Sequence, residues 1–298
     1  MNGFFNLNKP VGISSAAAVG AMKRLTGEKR IGHAGTLDPE AAGVLPIMVG
    51  RATRLFDYLV DKEKEYETVC AFGTATDTQD ATGTVVDEGT EYPDLARVEA
   101  EIPKLVGDII QRPSMYSAVK VGGKRMYDLA RKGETAEVPE RTVHVGRIEI
   151  LGEEPEHGVR MRVVCGRGTY IRSICDDLGK LCGCPAHMRS LVRTRSGVFE
   201  IGNAMTIEEA RAAAEDGRLA GMLMPMDSAI GHIPRMDAEE GLAKKVAAGA
   251  RLPVERLRGY VPKDGEVVRV YLLDQFWGIC ECKGDEMVWR AQIPPEEA

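Results

Sequence analysis

The sequence predicts an α+β protein: a mixed, largely antiparallel sheet flanked by helices, then a small β-rich C-terminal domain. Three observations lead there. Strand-like and helix-like segments interleave without the regular strand–helix–strand beat of a doubly wound fold. Val143 to Ile150 and Val159 to Val163 alternate around a glycine-containing break, which suits an antiparallel hairpin. After Met226-Asp227 helical patterns end, and Gly231, Pro234 and Pro253 punctuate a run of short strands. The expected division is a larger domain over residues 1–228 and a smaller one over 229–298.

Taken in order, Phe4-Phe5-Asn6-Leu7 reads as a short strand ended by Lys9-Pro10. Ser14 or Ser15 can cap a helix running to Leu25, and Gly27 suits its C-terminal stop. A loop punctuated by Gly32, Gly35 and Gly43 follows. Val44 to Val49 is apolar and bounded by glycine, consistent with a buried strand. Arg51 to Val60 reads as a short helix, Tyr66 to Phe72 as a strand, Thr74 to Gly83 as a polar turn region and 94–106 as helical. Residues 170–181 place Ile171, Ile174, Leu178 and Leu181 on one helical face. Val267 to Leu273, Phe276 to Cys282 and Met287 to Ala291 complete the tail as three strands.

The composition excludes several classes. With 298 residues, 44% hydrophobic and 28% charged, the chain is that of a globular protein and not of a disordered one. No apolar run approaches the roughly 20 residues of a membrane span. The first ten residues lack the pattern of a secretory signal, so a cytoplasmic location is expected. Seven cysteines are expected as reduced thiols. Cys182/Cys184, with His187 close by, and Cys280/Cys282 are spaced too tightly for a typical structural zinc site.

The net charge of −6 argues against binding nucleic acid by bulk charge alone, yet the charge is uneven. Residues 87–108 carry seven acids, whereas Lys120, Lys124, Arg125, Arg131 and Lys132 cluster, as do Arg189, Arg193 and Arg195. Local basic patches on an acidic chain can build a phosphate-binding groove or can be solvated faces.

The loop at 32–43 is the most informative stretch. Its glycines allow a tight shape against a ligand. Pro39 biases Asp38 to an extended backbone. A carboxylate held this way serves as nucleophile or base, or simply as an Asp-Pro turn. No Walker loop, dinucleotide fingerprint, H-E-x-x-H or G-x-S-x-G motif is present. An enzyme built on this chain would work through a lone carboxylate, without metal or redox cofactor.

Gly32-His33-Ala34-Gly35-Thr36-Leu37-Asp38-Pro39 resembles the G-H-x-G-x-L-D-P motif of the TruB-type tRNA pseudouridine synthases. The opening Gly3 to Ser15, with Asn8-Lys9-Pro10-Val11-Gly12, is similar to that family's N-terminus, as are Lys64-Glu65-Tyr66 and Asp77-Thr78-Gln79-Asp80-Ala81-Thr82-Gly83. So are Pro113 to Lys120, Gly168-Thr169-Tyr170-Ile171-Arg172 and Leu191-Val192-Arg193-Thr194. These segments run in family order over about the first 200 residues. The β-rich tail agrees with the PUA-like RNA-binding module often found in the family.

The resemblance implies a pseudouridine synthase fold and isomerisation of uridine 55 in the T loop of tRNA on a flipped-out nucleotide. Asp38 matches the catalytic aspartate, attacking either the ribose anomeric carbon or the uracil ring. Tyr66 matches the tyrosine that stacks on the target base, Arg172 the arginine paired with the carboxylate, and Tyr170 and Leu191 pocket residues. His33 matches a histidine contacting RNA beside the flipped nucleotide. Lys9 would support the site or bind phosphate. Lys120, Lys124, Arg125, Arg131, Lys132 and Arg193 would contact the RNA backbone. The implied partner is the tRNA T-arm, with no cofactor, no membrane, no obligate protein partner and a monomeric chain. Two readings compete: a glycosylase or nucleoside hydrolase that lets water finish the reaction, and an RNA-binding module with a vestigial loop.

Overall fold

A computed structural model of the chain describes residues 1–60, 62–116, 120–121, 124–126 and 138–295. Its main sheet runs, edge to edge, through Gly3–Lys9, Ala41–Val49, Ala186–Ser196, Lys64–Phe72, Gly158–Cys165, Arg141–Glu154 and Gly107–Gln111. Ile31–His33 and Phe199–Glu200 pair alongside. All of these pairings are antiparallel except Ala186–Ser196 against Ala41–Val49, which is parallel. At that junction Gly43 has φ +104°, and a Cβ there would lie 2.2 Å from the Arg193 carbonyl oxygen. Only glycine lets the two backbones approach so closely.

Alternation along the strands explains the layering. Phe5, Leu7, Leu45, Ile47 and Val49 face one side. Ala18, Met22, Ile174, Cys175, Leu178, Ile207 and Ala210 pack against them from the helices Ser15–Thr26, Ile171–Cys182 and Ile207–Glu215. Phe4, Val44 and Met48 face the opposite side. Strands buried on both faces read as continuous apolar runs, as Val44 to Val49 does. Ser14 caps the first helix by accepting the Ala17 N–H, and Gly27 ends it at φ 68°.

The second sheet orders Leu252–Pro253, Glu286–Gln292, Gln275–Lys283, Val267–Leu272, Arg235–Ala238 and Leu257–Gly259. It has its own core of Met236, Val246, Val268, Val270, Cys280 and Met287. Its other face supplies Ile279, Ala291 and Ile293 to the cluster that covers Phe4, Val44 and Met48. The two sheets therefore share an apolar layer. Burying each such side chain is worth about 1.5–3 kcal/mol. Truncation to residues 1–228 is expected to lower the melting temperature by more than about 10 °C, since each 1 kcal/mol shifts it by about 2–4 °C. Calorimetry of the truncated chain checks this; an unchanged transition would show the shared layer to be dispensable.

Several elements differ from expectation. Nothing in the sequence pattern announces Ala186–Ser196 in the middle of the sheet: bulges between Met188/Ser190 and Arg193/Arg195 break its alternation, and it buries an arginine. The helix Ile207–Glu215 is a further addition to the expected elements, although Thr206 and Glu209 form a capping box that the sequence displays. Thr74–Thr76 is a strand paired with Val85–Glu88 and not only turn. Helices do not end at Met226: Ala243–Ala247 is one. The seven cysteines are free thiols. Among the described residues no helix is long and apolar enough to cross a membrane.

Candidate active site

The loop between Ile31–His33 and Ala41–Val49 is held by its carbonyls. Arg193 donates to the Gly35 and Thr36 oxygens at 3.1 and 3.4 Å. Ser15 Oγ bonds both the N–H and the C=O of Leu37 at 2.8 Å. The Asp38 carbonyl takes the Ala41 N–H, and the Pro39 carbonyl takes the Gly12 N–H and the Lys9 ammonium. Five successive carbonyls are thus tied down, and the Asp38 side chain is left facing a cleft.

That cleft has a volume of about 420 Å³, within the usual range for small-molecule sites. Asp38, Tyr66, Tyr170, Arg172, Leu191 and Arg193 line it, and Phe56, Lys64, Arg141 and Arg167 complete its walls. Arg172 Nη2 lies 3.1 Å from Asp38 Oδ2, and Nη1 lies 3.5 Å from Asp80 Oδ2. The arginine side chain is 6% exposed and that of Asp80 11%, against 43% for Asp38. The guanidinium is therefore a buried hub with one carboxylate behind it and one in front, open to the cleft. It also donates to the carbonyls of Thr78 and Tyr116, each at 3.0 Å.

Asp80 is itself held. Its Oδ1 accepts from Thr78 Oγ1, Thr82 N and Thr82 Oγ1 at 2.8, 3.0 and 2.6 Å. The preceding Gln79 sits at φ 64°, a left-handed position that costs a non-glycine residue energy. The strain is countered by Ser173 Oγ and Asp176 Oδ2, both 2.9 Å from the Gln79 carboxamide. The role of Asp80 emerges only here; the one signal that could have found it is its place inside the Asp77 to Gly83 motif.

Tyr66 is buried on its strand, and burial pushes its phenol up, against the opposing Arg193 charge, so it is neutral at pH 7. Tyr170 opens the helix Ile171–Cys182, with the Arg141 guanidinium 5.3 Å from its ring centre. Leu191 is buried on the central strand. His33 stands half-buried on its short strand, outside the cleft wall. Burial and the Arg193 charge hold its imidazole below its usual pKa.

The structure corrects one expectation, for Arg193, and separates the two alternatives left open for Lys9. Arg193 is not a surface contact for RNA: it is 1% exposed, and its guanidinium is spent on the carbonyls of Val44, Gly35 and Thr36. Lys9 is fully buried, and its ammonium serves the carbonyls of Pro10, Ile13 and Pro39, so it holds the loop and does not meet phosphate. Lys120 pairs with Arg125, and Val121 with Lys124, in a two-stranded ladder. The side chains of Lys120, Lys124 and Arg125, and all of Arg131 and Lys132, lie outside the described residues.

Burial lowers the Lys9 pKa to about 8, with Asp38 opposing the shift. In the unfolded chain the same group titrates near its ordinary value of 10.5. Between those values folding releases a proton, so stability gains with rising pH. The stability of the wild type relative to Lys9→Met is expected to increase from about pH 8 upward, as urea unfolding at a series of pH values will show. A flat difference would place the titration elsewhere.

Known proteins resemble this chain along most of its length. Residues 23–171 match the TruB family pseudouridylate synthase (N terminal domain), and residues 172–231 match the tRNA pseudouridylate synthase B C-terminal domain. The chain is 41% identical over 278 residues to the tRNA pseudouridine synthase B of Geobacillus thermodenitrificans, covering 91% of each. It is 41% identical over 258 residues to that of Bacillus subtilis, covering 85% of this chain and 84% of the relative. A solved structure of an H/ACA RNP bound to a substrate RNA containing 2′-deoxyuridine superposes with a TM-score of 0.76 at 26% identity, over 99% of this chain and 86% of that one.

Proposed function

The chain belongs to the TruB family of pseudouridylate synthases, and from that premise we propose that it isomerises uridine 55 in the T loop of tRNA, with Asp38 as nucleophile and the target nucleotide extruded into the cleft. The pairing of Asp38 with a buried arginine, in a cleft that Tyr66 and Tyr170 also line, carries the proposal. It supplies a carboxylate, half open, on a loop whose carbonyls are tied down.

The target base is hidden while stacked in the RNA, and extruding it costs a few kcal/mol. Tyr66 offers an aromatic face to the base, and Leu191 an apolar wall. The Asp38 carboxylate adds to the anomeric carbon or to the uracil ring. The C1′–N1 bond breaks, the base turns, C1′ bonds to C5, and the bond to the Asp38 carboxylate breaks, which returns the free side chain. The C5 proton leaves and N1 gains one, so no atom is lost overall. Because Tyr66 stays a neutral phenol, its hydroxyl can pass a proton on but is no free phenolate base. Isomerisation has no redox step and needs no cofactor.

His33, kept neutral, suits a stacking or hydrogen-bonding contact beside the vacated position in the RNA. Residues 229–298 are read as a PUA-like RNA-binding domain, and Lys120, Lys124, Arg125, Arg131 and Lys132 as backbone contacts. The chain is read as acting as a monomer on the tRNA T-arm without an obligate protein partner.

The test is to incubate the protein with an unmodified tRNA transcript and map pseudouridine chemically. Pseudouridine at position 55, with unchanged RNA mass, is the expected result. Base loss, which lowers the mass, would favour the hydrolase; pseudouridine elsewhere would overturn the assigned position.

A further inference from the structure

Gln111 is fully buried at the end of the edge strand Gly107–Gln111, opposite Arg141. Its Oε1 accepts the Tyr170 N–H at 3.0 Å, and its Nε2 donates to the Tyr170 carbonyl at 3.1 Å. A backbone N–H only donates, so the carboxamide has one possible orientation. The two bonds make a side chain mimic a rung of sheet.

Tyr170 needs such a clamp. It is the N-cap of Ile171–Cys182, extended at φ −103° and ψ 112°, and it has no side-chain cap bond. A serine or aspartate in this position would secure the helix start itself; a tyrosine cannot. Gln79 also holds the start of this helix, through Ser173 in its first turn and Asp176 in its second. In the chain Arg172 falls between the residues that the two carboxamides hold, Tyr170 and Ser173. The segment after Gln111 then crosses over Arg172, which donates to Ser114 Oγ at 3.4 Å and to the Tyr116 carbonyl.

We infer that Gln111 is a positioning residue: its clamp on the Tyr170 backbone sets the Tyr170 ring and the helix turn that presents Arg172 to Asp38. The inference rests on the cleft being the site of pseudouridine formation. Gln111 touches no reacting atom. It acts through alignment, where an error of about 1 Å costs on the order of 10²-fold in rate.

The experiment compares full-length wild type, Gln111→Met and Gln111→Glu in single-turnover conversion of a tRNA transcript. Methionine keeps the volume and removes both bonds. Its rate is expected to fall about 10–100-fold while tRNA affinity stays within a few-fold. Glutamate restores the clamp only when protonated, since a carboxyl then donates and accepts while a carboxylate only accepts. Burial raises the carboxyl's pKa. The ratio of wild-type to Gln111→Glu rate is therefore expected to shrink as pH is lowered from about 8 to about 5.5, with no such change for Gln111→Met. A methionine variant as fast as wild type overturns the inference. So does a glutamate ratio that is flat with pH, the behaviour of a merely structural residue; the glutamate arm also decides if the methionine variant does not fold. A wild type that forms no pseudouridine sinks the functional reading instead, so the two failures are distinct.

Discussion

Replacing Asp38 by Asn is expected to reduce pseudouridine formation by at least about 10³-fold while tRNA binding stays within a few-fold. The substitution keeps the shape of the side chain and removes its charge. The loop should not move, because its carbonyls are tied by Arg193, Ser15, Ala41, Gly12 and Lys9, and none of those bonds uses the Asp38 carboxylate. Arg172 would keep Asp80 and two backbone carbonyls as partners, so the variant should fold normally. With 43% of its side chain exposed, Asp38 contributes little to stability through the ion pair. Rate and affinity therefore separate cleanly in this variant. Normal levels of pseudouridine in tRNA treated with it would refute the nucleophile assignment.

Arg172→Met is expected to damage both stability and activity. Removing the guanidinium strands Asp80, which is 11% exposed, together with the Thr78 and Tyr116 carbonyls. Breaking a buried pair on one side typically costs about 3–5 kcal/mol, because a desolvated carboxylate loses its counter-charge, and the hydrogen bonds that Asp80 keeps from Thr78 and Thr82 place this loss toward the lower end. The Asp38 pair, more open to water, adds little to that figure. Chemical denaturation measures the stability loss, and residual pseudouridine formation well below the melting transition measures the catalytic one. Adding Asp80→Asn to Arg172→Met should recover part of the stability, since the stranded charge is gone, but none of the activity. A double variant no more stable than the single one would show that Asp80 is not the residue bearing the cost.

Legibility in the sequence varies by element. The first helix and the strands Gly3–Lys9 and Ala41–Val49 are announced by local signals, a serine cap, a terminal glycine and apolar runs, whereas Ile31–His33 reads only as loop. The central strand Ala186–Ser196 is hidden because its bulges break the alternation and its inward positions include Arg193 and Ser196. Asp38, Tyr66, Tyr170, Arg172 and Leu191 are nameable from motifs in family order, and the structure brings them to one cleft. Gln111 carries no signal, since its partner is a backbone group 59 residues away.

By itself the sequence determined what neighbouring residues settle between themselves: caps, turns, periodicity, and a chain of motifs whose order names a family. The tertiary structure alone decided the allegiance of its charges. Arg193 reads as a ligand for phosphate and Lys9 as either that or a support of the site, yet the loop at 35–39 turns its carbonyls inward, where these two buried cations join the Ser15 hydroxyl and backbone N–H groups in holding them. Whether a charged group meets water, RNA or backbone depends on desolvation and on partners distant in the chain, and no local pattern encodes either.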